Sequence, residues 1–280
     1  MSAMRKHVLR VAVGDPPTVT ELLAARLALP LDRAREWVRI GAVQADGRRA
    51  VEATHLPPGT RVVVREPVVV ATAPLVVAWR DELTLVVEKP AGMLAQPSEG
   101  EAASSLEARV RDELPSARML HRLDRDASGL VLFALRPEAF APLQRSIEEG
   151  LVERTYAAVA SGEIAEPREI RLRIARDPSD ARRRVALPEN APGGRAALTR
   201  LAPLGPGAGG TALRVELGTG RTHQIRVHLL AIGHPLVGDG LYGGPPAARL
   251  MLHAARLVFP HPATGGRVAV ESPAPEGFGG

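Results

Sequence analysis

A run of charged residues, His121-Arg122-Leu123-Asp124-Arg125-Asp126-Ala127-Ser128-Gly129, enters the apolar segment Leu130-Val131-Leu132-Phe133-Ala134 without a spacer. An apolar run of that length reads as a buried strand, so the charges in front of it sit on the loop that delivers it and hold a carboxylate beside a cleft. Asp124 is the first candidate. Arg122 and Arg125 flank it, and cations within a few ångströms keep a carboxylate ionised and oriented, ready to serve as nucleophile or base. Ser128-Gly129 is expected to form the turn into the strand, with glycine permitting close backbone approach. A salt-bridged turn with no chemistry is the competing reading, and this stretch alone does not exclude it.

Composition narrows the class. Of 280 residues 45% are apolar, enough for one sizeable core and a smaller one. Aromatic residues are only 3%, which excludes a base-stacking platform built from many exposed rings. The net charge is +5, and Lys6 and Lys89 are the only lysines, so nearly all the positive charge is arginine, whose planar fork suits phosphate. The absence of cysteine excludes disulfides and thiolate metal sites. No stretch reaches the roughly twenty apolar residues of a membrane span, and Met1 to Asp15 lacks a signal-peptide h-region, so a cytoplasmic protein with no membrane partner is expected.

Along the chain, Thr18-x-x-Glu21 opens a helix as a capping box, Pro30 stops it, and a second helix is predicted from Asp32 to Ile40, ended by Gly41. Ala42 to Arg48 reads as a hairpin turning at Asp46-Gly47, and Gly59 to Val64 as a further strand. Arg65 to Pro74 is a proline-bearing connector, and the domain boundary is placed there. Next come a strand at Leu83 to Val87, a tight Lys89-Pro90-Ala91-Gly92 turn, and a helix from Ser104 to Leu114. A helix at Glu138 to Glu149 follows, with Pro142 tolerable only in its first turn and Gly150 as its cap. Arg154 to Val159 is a strand carrying Tyr156, one of two tyrosines. Arg182-Arg183-Arg184 is either a solvated loop or a phosphate contact, the latter favoured, and Pro203 to Gly210 reads as a flexible turn.

The strand Leu213 to Leu217 leads through Gly218-Thr219-Gly220 into Arg221-Thr222-His223-Gln224-Ile225-Arg226-Val227-His228, a helix capped by Thr219 or Thr222. Arg226 falls at the edge of its apolar face. A half-buried arginine needs a carboxylate, since an unpaired charge there costs several kcal/mol, and Asp124 is the expected partner. A glycine-rich loop, Gly233 to Gly243, and an apolar strand, Leu250 to Ala254, complete the informative part.

Two resemblances join these pieces. The helix pair and short strands of residues 1–70 resemble the S-four-type RNA-binding domain, which implies RNA contacts by Arg33, Arg35 and Arg39; a structural module without RNA contact is the alternative. From about residue 80 onward the chain resembles the pseudouridine synthases of the large-ribosomal-subunit (Rlu, RluA-like) type, through Lys89 to Gly92, His121 to Gly129, Gly220 to His228, Gly233 to Asp239 and Leu252 to Ala254, in order. The departures are Ala127 for the usual Thr, Arg154 for the usual Lys before the tyrosine, and Gln96 for a frequent His.

The resemblance implies an α+β pseudouridine synthase fold: a mixed, mainly antiparallel sheet with flanking helices over residues 76–280, preceded by a small α/β RNA-binding domain. It implies Asp124 as the catalytic aspartate, Tyr156 as the active-site tyrosine and Arg226 as the arginine paired with Asp124. Leu252 would lie against the target base, and His121 or Arg122 would fill the space a flipped base leaves. Lys89, Arg221, His223 and Gln224 join the RNA contacts. The expected reaction turns uridine into pseudouridine by breaking the bond from ribose to N1 and rejoining through C5. Nothing is oxidised or reduced, so no cofactor and no metal is expected. RNA is the expected partner, large-subunit ribosomal RNA first and tRNA second, and the protein is expected to be a monomer. The different-class alternative is a non-catalytic RNA-binding or ribosome-assembly protein with the same fold. Asp124-x-Asp126 is also similar to an aspartyl-phosphate phosphotransferase motif, but that chemistry needs a downstream lysine and both lysines lie upstream; a kinase catalytic loop fails because Leu123 separates Arg122 from Asp124.

Overall fold

The computed structural model describes residues 6–39, 42–52, 54–65, 74–97 and 105–279. Two compact units emerge, Met1–Pro74 with Leu94–Glu113, and Leu75–Met93 with Leu114–Gly280. Most of the expected connector, Gly41 and Ser104 fall outside the described residues.

The first unit contains β1 (Lys6–Arg10), α1 (Val19–Leu27), α2 (Leu31–Arg39), β2 (Val43–Ala45), β3 (Arg48–Arg49), β4 (Arg61–Arg65) and α3 (Leu106–Glu113). Its sheet runs β1-β4-β2-β3. Thr18 caps α1 by accepting from the Glu21 amide, while its hydroxyl donates to the Glu21 carboxylate at 2.7 Å. α1 ends at Ala28, which is in the left-handed region at φ 51°, and Pro30 starts α2, its carbonyl taking the Ala34 N–H at 3.0 Å. Asp46 and Gly47 adopt φ 45° and 79°, the left-handed pair that a two-residue hairpin requires. Leu22, Leu23, Ala34, Trp37, Val38, Val43, Val62 and Val64 share the core. Strand β1, absent from the sequence reading, pairs with β4 from Lys6↔Arg65 to Arg10↔Arg61.

The second unit holds β5 (Val76–Arg80), β6 (Thr84–Lys89), β7 (Arg118–Met119), β8 (Ser128–Ala134), α4 (Pro137–Glu148) and β9 (Glu153–Ser161). It continues with β10 (Arg168–Arg176), β11 (Arg184–Leu187), β12 (Arg195–Gly207), β13 (Gly210–Leu217), α5 (Gln224–Ala231), β14 (Leu252–Pro260) and β15 (Arg267–Glu271). An 11-stranded sheet runs β11-β10-β12-β13-β9-β14-β8-β6-β5, with β15 beside β14 and β7 beside β8. Pairing is antiparallel except between β14 and β8. All seven residues of β8 are buried, as its apolar run requires. Leu130, Leu132, Val86, Leu143 from α4, Leu257 and Phe259 pack in one cluster, each large side chain contributing about 1.5–3 kcal/mol by leaving water.

Two expectations are corrected. Pro142 lies in the second turn of α4, while Pro137 takes the first position. The turn tolerates it because Pro142 is on the exposed side, where water can satisfy the carbonyl left without an N–H, while Ala139 and Leu143 anchor the buried side. The expected flexible turn at Pro203 to Gly210 is mostly strand. A register shift between Pro203 and Gly205 absorbs the proline, and only Ala208 and Gly209 turn.

Candidate active site

Asp124 stands on the loop between β7 and β8, and the loop is fastened at both ends. On one side Lys89, 1% exposed, donates from Nζ to the carbonyls of Pro90, Met93 and Arg125 at 2.7–2.8 Å. The turn it enters adds two bonds to Arg125: the Gly92 amide donates to the Arg125 carbonyl at 2.9 Å, and Arg125 Nε donates to the Gly92 carbonyl at 3.2 Å. Lys89 is thus spent on the loop, which corrects its expected RNA contact; burial draws its pKa down to about 7, against the upward pull of Asp126 and Asp124.

The other end is held where β8 begins. His253 Nε2 lies 3.3 Å from the Ser272 carbonyl, which only accepts, so Nε2 carries the ring proton and Nδ1 accepts from the Ser128 hydroxyl at 2.8 Å, while Arg249 Nη2 donates to the same Ser128 oxygen. Gly129 has φ 110°, and a Cβ there would sit 2.6 Å from the Ala254 backbone nitrogen. The close approach expected of this glycine is therefore to β14. Ser128 and Gly129 lie within β8 itself, and the turn falls earlier, at Arg125 and Asp126.

Asp124 is one-fifth exposed and faces α5. Its Oδ2 accepts from Arg226 Nη1 at 3.3 Å, and His223 Nε2 stands 3.9 Å from its Oδ1. The expected pairing with Arg226 is present. The closer partner of Arg226, however, is Asp239, which takes Nε and Nη2 on its two oxygens at 2.7 Å each and has no exposed side-chain surface. Sequence reasoning missed Asp239 as a site residue. Its signal was available, since a buried arginine with five donors can occupy two carboxylates and Asp239 closes a conspicuous glycine-rich motif.

Tyr242 is the second omission. It lies 3% exposed, with the Arg226 guanidinium 4.9 Å and the Arg183 guanidinium 5.3 Å from its ring centre. Its hydroxyl accepts the Arg184 backbone N–H at 2.8 Å and lies 2.8 Å from His223 Nδ1. The Arg182–Arg184 run is correspondingly tied in: Arg182 pairs with Asp180 at 2.7 Å and Arg183 with Asp177 at 3.7 Å, so neighbouring carboxylates answer the repulsion that favoured a phosphate there.

Tyr156 projects from β9, 6% exposed, and burial pushes its phenol up to about 12, Asp124 adding to the rise. At neutral pH it is a neutral ring with a hydroxyl to donate. Leu252 pairs opposite Ala158 and Ala254 opposite Tyr156, which puts Leu252 and Tyr156 on the same face as diagonal neighbours. His121 accepts the Leu132 amide on Nε2 at 3.2 Å, and burial with the Arg154 charge pushes it down to about 3. That bond pins the ring, so of the two residues expected to replace a flipped base, exposed Arg122 is the one on the open side.

The start of α5 also departs from expectation. Neither Thr219 nor Thr222 caps it; the cap position is His223, in the left-handed region at φ 58°. Thr219 and the Arg221 amide donate instead to Gln224 Oε1, and Gln224 Nε2 donates to the Leu198 carbonyl and Thr199. Gln224, 2% exposed, locks the helix onto β12 and is corrected from RNA contact to internal brace. Arg221 remains partly exposed with Nε on the Ala196 carbonyl. In the first unit Arg33 and Arg35 are exposed on α2, Arg35 loosely paired with Asp32 at 3.5 Å, while the Arg39 side chain lies outside the described set.

Residues 83–231 match the family model described as RNA pseudouridylate synthase. The ribosomal large subunit pseudouridine synthase D of Pseudomonas aeruginosa is 38% identical over 226 residues, 73% of this chain and 69% of that one. An uncharacterized RNA pseudouridine synthase of Bacillus subtilis, YhcT, is 37% identical over 211 residues, covering 71% and 68%. Among solved structures, the human RNA pseudouridylate synthase domain containing 1 superposes with a TM-score of 0.63 at 30% identity, covering 72% of this chain and 84% of that one.

Proposed function

The chain belongs to the RNA pseudouridylate synthase family and forms pseudouridine in RNA, and on that premise we propose that its substrate is large-subunit ribosomal RNA and that Asp124 is the group acting on the uridine. One observation carries the assignment of Asp124: it is a partly exposed carboxylate held by the same guanidinium that is itself anchored on the buried Asp239. Arg226 thereby offers Asp124 a fixed positive charge that costs no reorganisation when the carboxylate reacts.

Asp124 attacks the ribose carbon and displaces uracil through N1, or takes a ribose proton and so eliminates it; the freed base turns, and C5 bonds to the ribose as the aspartate ester breaks or the proton returns to the sugar, while N1 gains a proton. The last step is loss of the C5 proton. Tyr156, kept neutral by burial, supplies a stacking face and a hydroxyl donor. Leu252, on the same face, gives the base an apolar wall. Arg122 enters the stack in place of the departed uridine, and Arg221 meets the RNA backbone. Arg33 and Arg35 add sequence-independent phosphate contacts from the first unit.

The support for ribosomal RNA is the Pseudomonas relative, whose name states that substrate. The test uses transcripts of large-subunit ribosomal RNA and of tRNA carrying tritium at uridine C5, which is released when C5 joins the ribose. Release from the ribosomal transcript by wild type, and none by Asp124→Asn, is expected. Release from tRNA alone overturns the substrate, and turnover by Asp124→Asn overturns the role of the aspartate.

A further inference from the structure

We infer that His223 and Tyr242 form a positioning pair for Asp124, in which the Tyr242 hydroxyl fixes the imidazole tautomer so that His223 presents Nε2–H to the carboxylate oxygen Arg226 does not hold. The inference rests on the reading of Asp124 as the reacting group.

Three observations carry it. The first is bond direction. The Tyr242 oxygen accepts the Arg184 backbone N–H at 2.8 Å, and among the described residues His223 Nδ1, also at 2.8 Å, is the acceptor within reach of its own proton. A hydroxyl that donates to Nδ1 makes Nδ1 an acceptor, which puts the ring proton on Nε2.

The second is placement. Nε2 is the ring nitrogen on the Asp124 side, 3.9 Å from Oδ1, while Arg226 Nη1 is on Oδ2. The two oxygens thus face two different donors, one already in contact and one about an ångström short of it. The opposite tautomer would aim a lone pair at an anion. Catalytic hydrogen bonds of this length shorten when substrate displaces water.

The third is backbone. His223 is one of three described non-glycine residues at positive φ, and the other two lie at turns or helix ends without chemistry, Ala28 and Asp46. A left-handed residue at a helix start, offering no side-chain cap to its own helix, is unfavourable unless the surroundings enforce it. Here the ring is held edge-on to Tyr242, centroids 5.6 Å apart at 88°, so that the departure from helical geometry aims the imidazole.

The charged groups around the ring are Asp124, Arg226, Arg184 and Asp239. Burial, reinforced by the two arginines and opposed by the two aspartates, holds the imidazole below its ordinary value, so the neutral form with a single N–H is the one present at neutral pH.

The experiment is a double-mutant cycle of Tyr242→Phe and His223→Asn, read in steady-state kinetics on the ribosomal transcript, with the tautomer read separately by ¹⁵N NMR of histidine-labelled protein. Asparagine is chosen because it tolerates the left-handed region. Tyr242→Phe is expected to lower kcat between about ten- and a hundredfold with KM within about twofold, since a misaimed reacting group costs rate and leaves RNA affinity alone. His223→Asn is expected to do the same, and the double variant to be no worse than either single one. The His223 signal, assigned by its loss in His223→Asn, is expected as the Nε2–H form in wild type and as Nδ1–H in Tyr242→Phe.

Additive losses, an effect confined to KM, or an Nδ1–H tautomer in wild type would each overturn the pair. The NMR result does not depend on turnover, and if His223→Asn folds poorly the signal is assigned instead as the one histidine whose tautomer changes in Tyr242→Phe. Wild-type protein that releases no tritium would instead refute the reading beneath it.

Discussion

Replacing Asp239 by asparagine should separate what holds the site together from what reacts in it. Asp239→Asn keeps the side-chain shape but removes the charge that takes two 2.7 Å bonds from Arg226, whose side chain is 6% exposed. Breaking a buried pair by neutralising one partner costs about 3–5 kcal/mol, because the other charge stays buried and uncompensated. Asp124, at 3.3 Å, retains part of the compensation, so the lower end, about 3 kcal/mol, is expected. For a unit of this size that lowers a thermal midpoint by roughly 6–12 °C, at about 2–4 °C per kcal/mol. Asp124→Asn removes one longer contact at a partly exposed carboxylate and leaves the Arg226–Asp239 pair whole, so its cost should stay within about 1 kcal/mol. Turnover should respond in the opposite order, abolished in Asp124→Asn and reduced in Asp239→Asn. Thermal unfolding and tritium release measured on both variants provide the check. Equal destabilisation by the two substitutions, or an Asp239→Asn midpoint within 2 °C of wild type, would refute the division of labour.

Three further outcomes are expected. Gly129→Ala should lose at least about 3 kcal/mol, since the new Cβ meets the Ala254 backbone and φ is 110°; an alanine protein of wild-type midpoint would show that β8 and β14 can separate without cost. Burial depresses His121 to about 3 and His228 to about 4 from 6.5, so the unfolded chain binds more protons below pH 6.5. Stability should therefore be full above pH 6.5 and fall as pH drops toward 4. His228 has no hydrogen-bond partner among the described residues, so His228→Leu should be near neutral at pH 7.5 and shallower in its acid loss; a denaturant midpoint that falls between pH 7.5 and 4.5 by as much as wild type's would contradict this. Finally, the double substitution Arg33→Ala, Arg35→Ala should reduce the slope of log affinity against log salt by about two, and an unchanged slope in filter binding would remove α2 from the RNA footprint.

The parts of this molecule that were legible in the sequence are those encoded locally. Thr18 and Glu21 announce a helix start, Asp46-Gly47 a hairpin, and the charge-to-apolar step at Ser128 a loop feeding a buried strand. Asp124, Tyr156 and Arg226 could be named before any coordinates because their motifs are contiguous. The partner of Arg226 was harder to read, because a lone carboxylate in a glycine-rich loop has no periodicity and nothing in the chain ranks Asp239 against Asp124. Lys89 and Gln224 misled for a related reason: a polar residue in a motif looks the same whether its donors face RNA or saturate carbonyls inside the protein. Pro203 looked like a breaker because a bulge that rescues a strand is a property of two strands together.

The position of β14 in the sheet has a consequence for how such a chain comes to life on the ribosome. Strands β8 and β9, which follow Asp124 and carry Tyr156, are not neighbours; β14 lies between them, pairing with β9 at Leu252↔Ala158 and with β8 at His253↔Ser128. Hairpins such as β12 with β13 can close as soon as they emerge, whereas this insertion waits for a strand synthesised some hundred residues after β9. With no direct pairing between β8 and β9, Asp124 and Tyr156 share one frame only once residues 252–258 take their place between them.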